Sequence, residues 1–277
     1  MNIESISPEY YTLKEFKFNN GKVLENQTVE YMTMGTPQYD DEGHITNAII
    51  YFHGTSGNYG SIKRIGVALG ENLPFDTNKF FFVSLSTLGT PGSSSPSTSK
   101  LNSDYPEYTI LDMVNFNKKF LDECLNIVSP LGLIGNSMGG FEAVTWAAVY
   151  PDDISFLISL VSSYKVGGQN YVLSKVMNDI ITSDKDFNNK KVTGDLKRAL
   201  ELSSKAMYSF GLSRQFYMDQ STSDIDKYMD EFAMEDSQED VLDAYYRNNA
   251  SMNYDLTDII SNITAKTLII GIYEDQY

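Results

Sequence analysis

Apolar and polar positions alternate through "YTLKEFKF" (11–18), pause at the turn-forming "NNGK" (19–22), and alternate again through "QTVEYMTMG" (27–35). A period of two sends successive side chains to opposite faces, so residues 10–35 are predicted to form two β-strands. The pattern then changes. "NAIIYFHG" (47–54) and "KFFFVSLS" (79–86) are nearly continuous apolar runs, as expected of strands buried on both faces. Between them "IKRIGVALGEN" (62–72) carries helical spacing, weakened by Gly66. "TLGTPGSSSPSTSK" (87–100) has the Gly, Ser and Pro content of a flexible connector.

Thr109 and Asp112 have the spacing of a capping box, and Ile110, Val114, Asn117 and Leu121 follow on one face of the helix it would open. A strand at 131–135, a helix at 138–149, a strand at 153–162 and a last buried strand in "AKTLIIGIYEDQY" (265–277) complete the pattern. Strand–helix alternation around apolar strands predicts an α/β protein, a mostly parallel sheet with helices on both faces. From 163 to 262 the alternation stops. Leu196, Leu200 and Met207, then Ile225, Met229, Phe232, Leu242 and Tyr245, keep helical spacing, which predicts a helical insertion with no strand in it. The chain thus divides into core residues 1–162, an insertion 163–262 and a final core segment 263–277. Nine acidic residues and one lysine, Lys227, lie between 224 and 243; they read as a solvated helical face.

The 277 residues, 42% of them hydrophobic, suffice for one large core, in one domain or a domain with an insertion. A net charge of −16 argues against nucleic acid and anionic membranes as partners, since phosphate binding needs clustered Lys and Arg. Cys124 is the single cysteine, so no intrachain disulfide forms. "MNIESISPEYY" lacks the basic and apolar regions of a signal peptide, and no apolar run is long enough to span a bilayer. A soluble cytoplasmic protein is the expectation, and a homodimer is compatible with it.

Chemistry concentrates at "GLIGNSMGGFEAVTWAAVYP" (132–151), where G-x-S-x-G joins a predicted strand to a predicted helix. A sharp strand-to-helix turn strains the serine backbone and needs small neighbours, which Gly135, Gly139 and Gly140 provide. The helix N-terminus then lies beside any developing oxyanion. Ser137 is therefore read as a nucleophile. "HGTSGN" (53–58) follows a strand, and the N–H of Thr55, with Ser56 as neighbour and alternative, would pair with that of Met138 as an oxyanion hole. His53 is read as packing at the strand end, and His44, in "DDEGHIT", as a loop residue. Asp275, preferred to Glu274, follows the last strand and fits the order Ser…Asp/Glu…His of such triads, but no histidine follows it.

The chain resembles the α/β-hydrolase superfamily, in particular its homoserine O-acetyltransferase-like branch. "LPFDTNKFFFVSLSTLGTPGSSSPS" (73–97), "DYPEYTILDMV" (104–114) and "GNSMGGFEAVTWAAVYPD" (135–152) carry the likeness, which spans about 30–162 and resumes at the final strand. It implies that Ser137 accepts the acyl group, that Asp275 is the triad acid and that 163–262 is a lid over the site. It also implies that the base histidine and the last helix and strand of the fold lie beyond Tyr277, so that this chain alone is impaired. The family's substrate-binding lid arginine, seven residues before a tyrosine, has no match: with Tyr208 as that tyrosine, the position holds Glu201, and Arg198 and Arg214 are the nearby alternatives. The expected activity is acyl transfer from a small ester or thioester to a small alcohol or to water, with acetyl-CoA as a candidate cosubstrate and no bound cofactor or metal. The competing class is a non-catalytic protein of the same fold whose pocket binds a small ligand.

Overall fold

Alternation in the first segment yields a hairpin, and the apolar runs become the centre of one sheet. The computed structural model describes residues 7–276; the leaderless N-terminus expected from sequence lies largely outside them, at 1–6. Strands β1 (Glu9–Lys17) and β2 (Val23–Gly35) are antiparallel, and β3 (Ala48–Phe52) and β4 (Phe81–Leu85) are buried at every residue. Helix α1 (Ile110–Leu125), strand β5 (Gly132–Asn136), helix α2 (Met138–Val149) and strand β6 (Phe156–Leu160) follow as the periodicity predicts. The Thr109 hydroxyl accepts from the Asp112 N–H, and the Asp112 carboxylate accepts from the Thr109 N–H, so the capping box forms in both directions.

The sequence 163–262 is not strand-free. After helix α3 (Gly168–Thr182), a two-residue hairpin forms from β7 (Phe187–Asn188) and β8 (Lys191–Val192). Its turn residues Asn189 and Lys190 both have positive φ, 48° and 66°, as a two-residue hairpin turn of the right twist requires. Helices α4 (Lys197–Tyr208), α5 (Arg214–Asp219), α6 (Thr222–Asp236) and α7 (Val241–Met252) follow, and β9 (Lys266–Ile270) returns to the sheet. The periodic stretch 225–246 is two helices, because Asp240 caps a new N-terminus by accepting from the N–H groups of Leu242 and Asp243.

The sheet order is β1-β2-β4-β3-β5-β6-β9, antiparallel at its first two pairings and parallel from β4 onward. Ile50, Phe52, Val83, Leu85 and Leu133 face α1, α2 and the helices of the insertion; Ile49, Tyr51, Phe82 and Ile134 face the opposite layer. That layer is a 3₁₀ segment, Tyr59–Ala68, where an α-helix is expected from 62–72. Gly60 and Gly66 lower helical propensity there, and Asn58 starts a tighter turn by accepting from the Gly60 N–H. The insertion leaves and rejoins the core at one place: Val166 N–H donates to Tyr254 O, and Leu256 N–H to Tyr164 O.

Two further expectations are corrected. Residues 87–100 are not a flexible connector: Thr87, Leu88, Thr90, Ser93, Ser94 and Ser95 are all buried. Beyond its pairing with β4, strand β2 meets hydroxyls and backbone of this loop instead, as Glu30 N–H donates to Ser93 Oγ and Thr28 N–H to Ser94 Oγ. Serine here replaces a missing strand. The last strand is also not buried. β9 pairs only with β6, and Leu268, Ile269 and Ile270 are exposed at the sheet edge.

Candidate active site

Strand β5 ends at Asn136 and α2 begins at Met138, leaving a single residue to turn the chain. Ser137 makes that turn with φ 53° and ψ −119°, a conformation sparsely populated for any residue with a side chain. Its N–H donates to Leu160 O at 2.9 Å, and its carbonyl accepts from Gly140 N–H at 2.8 Å, so neighbours on both sides hold the strained backbone. A methyl group at Gly135 would overlap the Gly139 carbonyl, and one at Gly139 would overlap the carbonyls of Phe52 and His53. The glycines let β5, α2 and the end of β3 touch at backbone distance. Met138 supplies the first N–H of α2, one of those a helix leaves without an internal acceptor.

The segment after β3 lies against this turn: a methyl at Gly54 would stand 3.5 Å from Ser137 Cβ. Thr55 follows, half-buried, and Gly57 N–H closes a turn onto Gly54 O at 2.9 Å. His53 is fully buried; its Nδ1 meets Gly54 O at 2.6 Å, and its Nε2 accepts from Thr87 N–H at 3.2 Å. Both ring nitrogens are therefore spent on backbone. Burial lowers the imidazole pKa to about 4, and His53 is a neutral structural residue that shapes the Thr55 loop. His44 is half-buried beside Asp40, at 3.2 Å.

Above this loop, Thr55 and Ser56 line a cleft with Met177 of α3, Ser204 of α4, Asp236 at the end of α6 and Arg247 of α7. Arg247 is buried, donates to Gly89 O at 3.1 Å and pairs with Glu239, while its Nε has no partner. Asp236 accepts from Ser204 Oγ at 2.6 Å. The acidic run is therefore only partly a solvated face, since Glu239, Asp236 and the buried Asp243 turn inward. The expected lid residues sit elsewhere. Arg198 is exposed and pairs with Glu201 at 3.0 Å, and Arg214 is exposed at the start of α5. Tyr208 is buried among Tyr217 and Phe232 with its hydroxyl unpartnered, and it does not line the cleft. Arg247 went unnoticed in the sequence, although it is a lone cation next to a strongly acidic stretch.

Asp275 lies in the turn after β9, its N–H donating to Ile272 O at 3.1 Å, with exposed Glu274 beside it. Ile270, Leu160 and Asn136 are register partners across β9, β6 and β5. The acid loop thus leaves the same end of the sheet as Ser137, two strand spacings or about 10 Å away. Among the described residues no cluster of three or more His, Cys, Asp or Glu could hold a metal ion, and no helix is long and apolar enough to cross a membrane.

A family model described as the alpha/beta hydrolase fold matches residues 47–277. A probable acyltransferase of Methanothermobacter thermautotrophicus is 43% identical over 275 residues, 99% of this chain and 85% of that protein. A homoserine O-acetyltransferase of Pasteurella multocida is 31% identical over 64% of this chain, which spans about half of that relative's length (52%). An acetylester hydrolase from Corynebacterium glutamicum has a similar fold, with a TM-score of 0.83 and 19% identity over 98% of this chain and 81% of that one. The chain belongs to the alpha/beta hydrolase fold family of serine-nucleophile acyltransferases and hydrolases, and it is similar over nearly its whole length to a probable acyltransferase and over part of it to homoserine O-acetyltransferases.

Proposed function

We propose that the chain carries an acyl group on Ser137, taken from a small ester or thioester and passed to a small alcohol or to water. The observation that carries this reading is the Ser137 backbone, held at φ 53° between β5 and α2 with Gly54 against it. Strain of this kind persists only where the surroundings enforce it, and it presents the hydroxyl at the sheet end. In the first step Ser137 Oγ bonds to the acyl carbon, and the N–H groups of Thr55 and Met138 hold the oxyanion. The carbonyl re-forms as the C–O or C–S bond to the leaving group breaks, and the leaving group takes up the serine proton. An alcohol or water then attacks the acyl-serine and returns a proton to Ser137. Acetyl-CoA is the thioester that fits the acyltransferase relatives.

Asp275 is read as the acid that orients an imidazole in the gap between the two strand ends. Neither His53 nor His44 is placed to be that imidazole, so turnover by these 277 residues alone is expected to be severely reduced. A triad lacking one member still retains about 10³–10⁴-fold catalysis from the oxyanion hole and binding. In this reading residues 163–262 form the lid, supported by the cleft that α3, α4, α6 and α7 make with Thr55 and Ser56. The reading places the enzyme in the cytoplasm.

The test is acylation by p-nitrophenyl acetate, with the modified residue identified by peptide mass spectrometry. Ser137 is expected to acquire the acetyl group, faster with added imidazole, and Ser137→Ala to remain unmodified. Equal acetylation of the Ser137→Ala protein at another residue would overturn the assignment.

A further inference from the structure

We propose that Glu142 is a positioning residue: its carboxyl, held by Thr87 and Asn117, locks the helix that starts at Ser137 to the His53–Gly54 segment leading into Thr55. The inference rests on the reading of Ser137 and Thr55 as nucleophile and oxyanion donor. Glu142 lies five residues past Ser137 on α2 and is fully buried. Its Oε2 accepts from the Thr87 hydroxyl at 2.7 Å and from the Asn117 amide of α1 at 2.7 Å. Asn117 also donates to Thr87 Oγ1 at 3.1 Å, and the Thr90 hydroxyl donates to Thr87 O at 2.6 Å. Thr87 is thereby fixed in side chain and backbone. Its N–H meets His53 Nε2, and the other ring nitrogen meets Gly54 O. Four segments distant in sequence thus share one buried path, from the nucleophile helix to the oxyanion loop.

Burial on this path favours the neutral acid. One carboxyl oxygen receives two hydrogen bonds, the other has no partner, and no cation among the described residues is paired with it. The titratable groups around the path are His53 at the end of β3, Tyr108 ahead of α1, Arg247 of α7, which acts on both, and Arg64 of the 3₁₀ segment, which acts on His53. Burial raises the Glu142 pKa to about 8, against 4.5 for an ordinary glutamate, and its two hydrogen bonds only partly offset that rise. Ionised Glu142 would set an uncompensated charge behind the place where the substrate oxygen turns negative. The folded pKa is the raised one, so the stability this group contributes is complete below about pH 4.5 and lost as pH rises to about 8.

Two measurements on the full chain test this, with Glu142→Gln as the variant that stays neutral. Between pH 5.5 and 7.5 the unfolding constant of the unmodified protein, from urea titration, is expected to rise about tenfold per pH unit relative to Glu142→Gln. Ser137 acetylation by p-nitrophenyl acetate is expected to fall above about pH 8 in the unmodified protein and to lack that fall in Glu142→Gln. Parallel unfolding curves, or an alkaline limb shared by both proteins, would overturn the proposal. If Ser137 is acetylated in neither protein, the catalytic reading fails, and amide exchange at 54–57 then decides the tie itself. Glu142→Ala should speed that exchange and Glu142→Gln should not; unchanged exchange in both variants would overturn it. Should Glu142→Ala fail to fold, protection factors at 54–57, corrected for the base catalysis of intrinsic exchange, that fall above pH 8 as much in Glu142→Gln as in the unmodified protein would also overturn it.

Discussion

At Gly139 a single methyl group would run into the carbonyl oxygens of Phe52 and His53, whereas at Gly167 it would meet nothing within 4 Å. Gly139→Ala is therefore expected to lower stability by about 1–3 kcal/mol, the usual range for overpacking, while Gly167→Ala stays within about 0.5 kcal/mol. Thermal unfolding of the two variants checks the contrast. Arg247 gives a second prediction. Its guanidinium is buried against Glu239, so Arg247→Ala removes one partner of a buried pair and should cost about 3 kcal/mol, measured by urea unfolding. The serine was legible in the sequence because its signal is local: strand, glycines, serine and helix are contiguous. Glu142 and Arg247 were not, because a single charge on a helix acquires meaning only from partners elsewhere in the chain. For Glu142 those partners are Thr87 and Asn117; for Arg247 they include Gly89.

The same distinction separates the elements. The N-terminus of α1 could be read from four adjacent residues, and Thr109→Ala should cost the chain about 1 kcal/mol by denaturant titration. The loop 87–100 was misread because serine and glycine content describes an isolated segment, and this one is not isolated. Helix α7 presents Asp243 and Arg247 to it, one turn apart. Asp243 accepts from Ser95 Oγ at 2.9 Å, Ser97 N–H at 3.0 Å and Ser97 Oγ at 2.5 Å. Tyr246, between them, donates to Tyr105 O at 3.2 Å. Asp243→Ala removes three bonds to a charged acceptor, and limited proteolysis should then show new cleavage between 95 and 100 that the unmodified protein resists.

Across the whole molecule, the insertion and the sheet share one core: Leu200, Val241, Leu242, Tyr246, Ala250, Tyr254 and Leu256 belong to the cluster that holds Phe52, Leu133 and Trp146. Sequence periodicity predicted the parallel sheet and the helices, because burial on one or both faces leaves its period in the chain. At the edge of that sheet β9 carries its apolar residues outward. That edge offers unpaired backbone and apolar side chains to another molecule. Sedimentation velocity should show concentration-dependent association, suppressed by Ile269→Lys.

Because β9 pairs, among the described residues, with β6 alone and its side chains are exposed, the turn bearing Asp275 is attached through a solvent-exposed ladder. Proteins open in parts, and the free energy of each opening follows the burial and pairing of that part. Backbone amides of 266–270 should thus exchange with solvent far sooner than those of the fully enclosed β3 and β4. The same ordering sets how the site fails. In mild urea the turn bearing Asp275 is expected to detach from the sheet while the strained serine turn and its central strands remain intact, so hydrogen exchange at 266–275 should rise at a lower denaturant concentration than unfolding of the whole.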